Sequence, residues 1–373
     1  MRRAVLAAAT GALGVSGSAG AGPWSVTLEA GAEADSNVQR TETVPDGPRR
    51  IAAPVGRAGA RVDHKDELGG GAYTLNLSGL ARMVDDDAAR DENVMLYAGQ
   101  LRWLHPLAAH QIYAGVNLTA ADAFAITGGI GARTFRNLGG DGVIALANHD
   151  GRRLTLAVGG RAFRYKPDHV FDWRGLAANA RLDLVLWQPA DKAHSLELAT
   201  TLGFEARRYR SAALTDMCAP DGPVDQCSAS TTLTRRDRYQ RANAELTWTG
   251  DVVITAGYQL TVIDSNSYGQ SLIRHRVMVA ATAELPGKLF GTAIATLQID
   301  QYPDGVLVET DVQRQEFTNL DDENRSSLQI RIARELSPAW SIELRAAAWR
   351  DFGHENTMAF HRELISTGVV YAP

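Results

Sequence analysis

Apolar and polar residues alternate strictly along much of the chain, most clearly at 251–285. In the first run of that stretch the apolar parity is Val252, Ile254, Ala256, Tyr258, Leu260 and Val262. In the second run the apolar parity is Val277, Val279, Ala281, Ala283 and Leu285. A period of two places all apolar side chains on one face of a strand. Runs of about ten residues or more suit a tilted strand that crosses a bilayer.

The same alternation recurs from Trp24 to Tyr371 and predicts one all-β domain. We expect a transmembrane, antiparallel, up-and-down β-barrel of about 16 strands, or about 14 if strand six, at about 141–148, and its neighbour are irregular. The glycine-rich segment 121–140 shows no period and is expected to be irregular. Tight turns, such as 105–109 and 286–288, alternate with long polar loops, such as 210–235 and 302–322. An even number of strands places both termini in the periplasm.

A soluble β-sandwich also shows alternation, so it is the main competing fold. The strand lengths favour the barrel, because strands of soluble sheets are usually about 5–6 residues long. Aromatic residues near the predicted strand ends also favour it, since membrane barrels carry aromatic girdles at both interfaces. These residues are Trp24, Tyr97, Trp103, Trp187, Trp248 and Tyr371.

The N-terminal segment has the pattern of a secretory signal peptide. Arg2 and Arg3 precede an apolar run at 4–15, and the small residues at 19–21 offer a cleavage site. We expect residues 1–21 to be removed and residues 22–373 to form the barrel. Export and alternation together predict a location in the bacterial outer membrane.

Composition narrows the function classes further. The net charge of −5 and the absence of a basic stripe argue against a nucleic-acid partner. Cys218 and Cys227 lie in one polar segment with Pro and Gly between them. In an oxidising compartment we expect them to form a loop disulfide. A metal site is the weaker alternative, because no histidine or further cysteine stands nearby.

The polar parity of the predicted strands carries charges of both signs, and these residues are our candidates for the lining of the lumen. They are Glu29, Glu33, Arg57, Arg61, Arg181, Asp183, Glu205, Arg207, Arg241, Glu245, Arg274, Arg276, Arg331, Glu343 and Arg345. One interpretation is a charged pore that filters solutes by size and charge. The other is an internal salt-bridge lattice that fills and stiffens the barrel. The sequence favours the lattice, because mixed charges on facing strands tend to pair.

Other polar motifs have structural explanations. The Asp-Ser-Asn sequences at 35–37 and 264–266 are expected to form turns, since Asp and Asn side chains bond to nearby backbone N–H groups. The acidic runs at 85–87 and 321–323 are interpreted as solvated loop charge, with divalent-cation binding as the alternative. The histidines show no nucleophile–base spacing, and no phosphate-binding glycine motif is present. We therefore expect no enzymatic activity, no cofactor and no resident metal.

Four short motifs resemble a family of bacterial outer-membrane barrels. They are Asp35-Ser36-Asn37-Val38, Asp264-Ser265-Asn266-Ser267, Arg274-His275-Arg276-Val277 and Asp322-Glu323-Asn324-Arg325-Ser326. Some members resemble the barrel half of surface lipoprotein assembly modifiers and of barrels fused to tetratricopeptide repeats, although this sequence shows no such repeat. The resemblance implies contact with outer-membrane lipid and lipopolysaccharide, and insertion by the barrel assembly machinery.

Three function classes follow from these observations. The first is a channel or transport-related barrel for small solutes, with a polar lumen of mixed charge. The second is a barrel component of an envelope export or assembly system, with a periplasmic or envelope partner. The third is a structural or surface-binding barrel. The sequence does not decide among the three classes, and the channel is the function that we predict.

Overall fold

The computed structural model describes residues 24–40, 50–108, 111–126, 131, 133–148, 151–190, 193–216, 228–304, 325–350 and 360–373. The strands of this part of the chain are β1 (Trp24–Asp35), β2 (Ala53–Leu68), β3 (Gly71–Val84), β4 (Val94–Ala108), β5 (Ile112–Ala125), β6 (Phe135–Ala147), β7 (Arg153–Tyr165), β8 (Trp173–Trp187), β9 (Ser195–Asp216), β10 (Ser228–Thr249), β11 (Val252–Ser265), β12 (Leu272–Leu285), β13 (Leu289–Gln301), β14 (Ser326–Ser337), β15 (Trp340–Arg350) and β16 (His361–Tyr371). Two short 3₁₀ helices span Asp87–Glu92 and His169–Phe171. Within these ranges no helix is long and apolar enough to cross a membrane.

The strands of the described residues form one closed antiparallel barrel. Each strand pairs with its neighbours in sequence, and β16 pairs with β1 to close the sheet. Leu28 lies opposite Tyr371 towards one end of this seam, and Asp35 lies opposite Leu364 at the other. We call the end with Tyr371 the terminal end and the end with Asp35 the loop end. The predicted fold class is confirmed, with the larger of the two strand counts.

Alternation sends side chains to two faces with opposite character. Large apolar side chains of one parity remain exposed, as Leu156 (42%), Leu202 (64%) and Ile330 (49%) show. The other parity includes fully buried side chains such as Asp35 and Arg362. A single closed sheet can bury a side chain only on its concave side, where the wall curves around it. The polar parity therefore faces the interior, and the apolar parity covers the exterior.

Aromatic side chains gather near the terminal end of the barrel. Trp24 stacks on His64 with ring centroids 3.8 Å apart, and Trp340 lies 4.7 Å from Tyr371. Trp187 stacks on Trp248 at 5.5 Å, with both rings well exposed. Amphipathic rings of this kind prefer the boundary between hydrocarbon and water.

The structure corrects three of the boundaries expected from the sequence. The expected turn at 105–109 is strand as far as Ala108, and a register shift between Pro106 and Ala108 accommodates the missing proline N–H. The expected irregular segment 121–140 supplies the end of β5 and the start of β6. Both strands extend into the expected loop 210–235, since β9 continues to Asp216 and β10 begins at Ser228. Hydrogen bonds between the two strands satisfy the backbone groups of residues that the sequence assigned to a loop. The predicted signal peptide and the predicted disulfide lie outside the described residues and stay predictions.

Candidate functional site

Most charged pairs that the structure describes on the inner face join residues of one strand or of neighbouring strands. Arg181 Nε donates to Asp183 Oδ1 at 2.8 Å within β8. Arg274 Nη2 donates to Asp300 Oδ2 at 2.8 Å between the adjacent strands β12 and β13. The same geometry, within one strand or between neighbours, holds for Glu33–Arg57, Arg61–Asp63, Asp141–Arg161, Glu205–Arg207, Glu205–Arg241 and Arg331–Glu343. The ion pairs thus form a lattice on the wall itself.

Several of these inner guanidinium groups remain open to solvent despite their partners. The side chains of Arg61, Arg181 and Arg241 are 51%, 46% and 41% exposed. Exposure of this size inside a closed sheet leaves space beside these groups along the described strands. The lattice interpretation and the pore interpretation are therefore compatible, since pairing along the wall leaves these charges exposed.

The remaining candidates also lie on the inner parity. Glu29 packs against Gly59 of β2, and Arg345 Nη2 donates to Gln329 Oε1 at 2.8 Å. Arg276 lies opposite Gln298 in the β12–β13 ladder. Each of these side chains therefore adds to the polar wall beside a neighbouring strand. Glu245 on β10 lies within electrostatic reach of Arg181 and Asp183 on β8, two strands away.

A buried ionic network occupies one side of the inner face at the loop end. The Asp35 carboxylate accepts hydrogen bonds from Arg82 Nη2 at 2.9 Å and Arg362 Nη2 at 2.7 Å. Arg133 Nε donates to Glu92 Oε2 at 3.0 Å. These five side chains are at most 6% exposed. We call them the loop-end network; it joins β1, β3 and β16 to the 3₁₀ helix that precedes β4 and to the segment that precedes β6.

A second inner cluster combines arginine with aromatic rings on β8, β9 and β10. The Arg207 guanidinium carbon lies 4.0 Å from the Trp173 ring centroid and 3.9 Å from that of Tyr239. Arg235 lies 4.1 Å over the Tyr209 ring. Cation–π contacts are worth about 0.5–2 kcal/mol each, depending on desolvation. The arrangement holds two long side chains flat against the wall.

The two Asp-Ser-Asn motifs fasten strand ends to a neighbouring strand. Asn37 N donates to Asp35 Oδ1 at 3.0 Å, which is the expected turn, and Asn37 Nδ2 donates to the His361 carbonyl at 3.2 Å. In the second motif Asn266 Nδ2 donates to the Thr234 carbonyl at 3.0 Å, and its Oδ1 accepts from Arg236 N at 2.7 Å. The asparagines therefore hold β1 against β16 and β11 against β10.

Sequence reasoning missed the loop-end network. Asp35 and Arg362 look like loop residues at strand ends, and they are 327 positions apart. A usable signal was present, because Asp35 continues the parity of Glu29 and Glu33 along β1. The first acidic run has the role expected of loop charge: Asp86 accepts from Ala88 N at 2.8 Å and caps the 3₁₀ helix. In the described parts of the chain no three His, Cys, Asp or Glu side chains are placed to hold a metal ion.

Fold and site together define a closed sixteen-stranded β-barrel with an apolar exterior and a charged inner wall, within the residues described above. No protein-family model matches the chain, and no curated protein matches it. Solved structures similar to it are those of bacterial outer-membrane barrels.

Three of these structures show the extent of the likeness. OmpF of Salmonella typhi, in complex with daunomycin, is 8% identical over 94% of this chain and 97% of its own, with a TM-score of 0.47. A loop-deletion mutant of OmpT, an outer membrane protein of Vibrio cholerae, is 10% identical over 94% and 100%, with a TM-score of 0.44. OccK5 of Pseudomonas aeruginosa is 9% identical over 94% and 98%, with a TM-score of 0.37. At such values the likeness carries no argument about function.

Proposed function

We propose that this protein is a channel for small hydrophilic solutes in the bacterial outer membrane, and that it is not an enzyme. The apolar exterior suits the hydrocarbon of a bilayer, and closure of the sheet leaves no unpaired strand edge in contact with lipid. Barrels of about 16–18 strands are wide enough to leave an aqueous channel between their inner side chains. In this proposal both ends of the barrel chain lie in the periplasm.

The observation that carries the proposal is the exposure of charged side chains on the inner wall. Arg61, Arg181 and Arg241 are each about half exposed although they face the barrel interior. Because their partners lie beside them on the wall, the charges are fixed without being removed from water. A lumen of this kind selects hydrated solutes by size and only weakly by the sign of their charge, since acids and arginines alternate along it.

The test is the single-channel conductance of the refolded protein in a planar bilayer. We expect discrete, stable openings whose conductance scales with salt concentration. Heat-modifiable migration on a gel checks independently that the barrel has folded. A folded barrel that stays silent in the bilayer would overturn the channel and favour the export or assembly class, whose periplasmic or envelope partner could then be captured by pull-down.

A further inference from the structure

The outer face of the barrel changes abruptly from apolar side chains to arginine near the loop end of β6 to β10. On β8 the outward position before Leu176 is Arg174, and Leu176 is 70% exposed. On β9 the outward series Leu202, Phe204 and Ala206 is followed by Arg208. Exposed arginines take the equivalent outward positions on the other three strands: Arg136 on β6, Arg164 on β7, and Arg236 and Arg238 on β10.

The register places three of these arginines directly beside one another. Arg174 lies opposite Arg208 in the β8–β9 ladder, and Arg208 lies opposite Arg236 in the β9–β10 ladder. Side chains directly opposite in an antiparallel pair have Cβ atoms about 4.5–5.5 Å apart, and like charges there are destabilising. We call Arg174, Arg208 and Arg236 the arginine ladder. An anion from outside the chain would relieve the repulsion among these three guanidinium groups.

Carboxylates of the described residues pair with the flanking arginines and not with the arginine ladder. Asp122 pairs with Arg136, and Asp172 lies 4.0 Å from Arg164. Asp264 lies 4.0 Å from Arg238. In the described part of the chain no carboxylate lies within 4 Å of the guanidinium groups of the arginine ladder. The ladder is thus a concentrated positive patch at the border of the apolar exterior.

We propose that the arginine ladder binds the phosphate groups of lipopolysaccharide in the outer leaflet. This inference rests on the proposed outer-membrane location. A guanidinium binds phosphate in a bidentate manner, and three adjacent groups match a headgroup that carries more than one phosphate. Acyl chains of the same lipid then lie along Leu176, two residues from Arg174, and Phe204, four residues from Arg208, which are 70% and 45% exposed. One molecule therefore satisfies both the charge and the apolar surface.

The ladder lies on one side of the barrel, which supplies a control. Arg350 is an exposed arginine at the loop end of β15, away from β8–β10 in the strand order. Arg350→Gln therefore removes one surface charge without touching the ladder. The triple variant Arg174→Gln, Arg208→Gln and Arg236→Gln removes the repulsion along with the site, so it should fold at least as well as the parent in detergent.

The experiment titrates the refolded barrel with bisphosphorylated lipid A and counts bound lipid by native mass spectrometry. We expect binding that falls about tenfold or more in the triple variant, a loss typical of removing charge-assisted hydrogen bonds. Arg350→Gln should bind as the parent does. Dephosphorylated lipid A should bind the parent about as weakly as lipid A binds the triple variant.

Four results would overturn the proposal: equal binding by the triple variant, equal binding of dephosphorylated lipid A, equal binding of phosphatidylglycerol, or displacement of lipid A by millimolar inorganic phosphate. The last two would mean a general anion site. Heat-modifiable migration of every variant separates lost binding from lost folding. Bilayer conductance is read on the same samples, so a silent but lipid-binding barrel would reject the channel and keep the lipid site.

Discussion

The Arg362 guanidinium on β16 donates two hydrogen bonds to the Asp35 carboxylate on β1, from Nε to Oδ1 at 3.0 Å and from Nη2 to Oδ2 at 2.7 Å. Both side chains are at most 2% exposed. The pair spans the seam at which the first and last strands meet, and Arg82 donates to the same carboxylate from the other side at 2.9 Å. Closure of the barrel therefore includes a two-sided ionic contact as well as backbone hydrogen bonds.

Replacing Asp35 should destabilise the barrel strongly. Asp35→Asn removes the buried charge that binds Arg362 and Arg82, although Arg82 keeps a contact with Glu33 at 3.4 Å. Breaking a buried ion pair in this way costs about 3–5 kcal/mol. We expect a loss of that size in the free energy of unfolding, measured by urea titration of the protein in micelles. Arg61→Gln is the control. The Arg61 side chain is 51% exposed, so its ion pair with Asp63 should contribute less than about 1 kcal/mol. Equal losses in the two variants would show that the seam contact is not special.

The position of Arg207 between two rings predicts a difference between arginine and lysine. Arg207→Lys keeps the charge but loses the planar group that lies over Trp173 and Tyr239. We expect a loss of about 1–2 kcal/mol in the free energy of unfolding. Arg241→Lys should cost less, because Arg241 is 41% exposed and lies 5.3 Å from the Tyr239 ring. A double-mutant cycle with Trp173→Leu would show no coupling if the stacking were incidental.

Two adjacent glycines should differ sharply in their tolerance of a methyl group. A Cβ on Gly159 would lie 1.8 Å from the Gly140 carbonyl oxygen on β6, whereas a Cβ on Gly160 would meet nothing within 4 Å. Gly159→Ala forces two strands apart and should cost about 1–3 kcal/mol, as overpacking does. Gly160→Ala should be neutral. The refolded fraction at a fixed urea concentration, read by gel migration, compares the two variants directly, and similar fractions would contradict the close approach.

Reversing a charge on the inner wall should alter ion selectivity. Arg181→Glu replaces a 46% exposed cation with an anion beside Asp183. The reversal potential under a salt gradient should then move towards cation selectivity, because the local wall becomes negative. Leu182→Val is the matched control, since Leu182 is the next residue and faces the exterior. A shift of equal size in both variants would place Arg181 outside the conduction path.

The predicted disulfide can be tested by alkylating the cysteines and measuring the mass of the intact protein. Asp216 and Ser228 lie opposite each other where β9 ends and β10 begins, so the stems of the segment that contains Cys218 and Cys227 are held together. We expect intact protein to take up no alkylating reagent under denaturing conditions until a reductant is added, and two labels afterwards. Two labels without reductant would disprove the disulfide. If it forms, its loss should cost on the order of 2–3 kcal/mol by the loop-entropy model.

The fold was predictable because a closed sheet repeats one simple rule. The runs 252–262 and 277–285 carry an apolar residue at every second position, and the structure pairs these runs as β11 and β12. Strand ends were less predictable, since polar residues such as those at 210–216 read as loop when only local sequence is considered. In the structure the partner strand satisfies their backbone groups, and that partner is identified only by long-range pairing.

The sequence predicted a charged inner wall but not the individual contacts within it. Parity alone places Glu33, Arg181 and Arg207 on the inner face. It does not reveal that Asp35 meets Arg362, because that contact depends on which strands close the barrel. The arginine ladder was also missed, since three arginines in separate segments become neighbours only through the register of β8, β9 and β10.

The Asp-Ser-Asn motifs give the seam a contact that an ordinary strand pair also has. Asn37 holds β1 against β16 by the same kind of side-chain bond with which Asn266 holds β11 against β10. The seam is therefore held by side-chain and backbone contacts that do not need β1 and β16 to be the first and last strands. A circular permutant, with the end of β16 joined to the start of β1 by a short peptide and new ends at 188–194, should close into the same barrel.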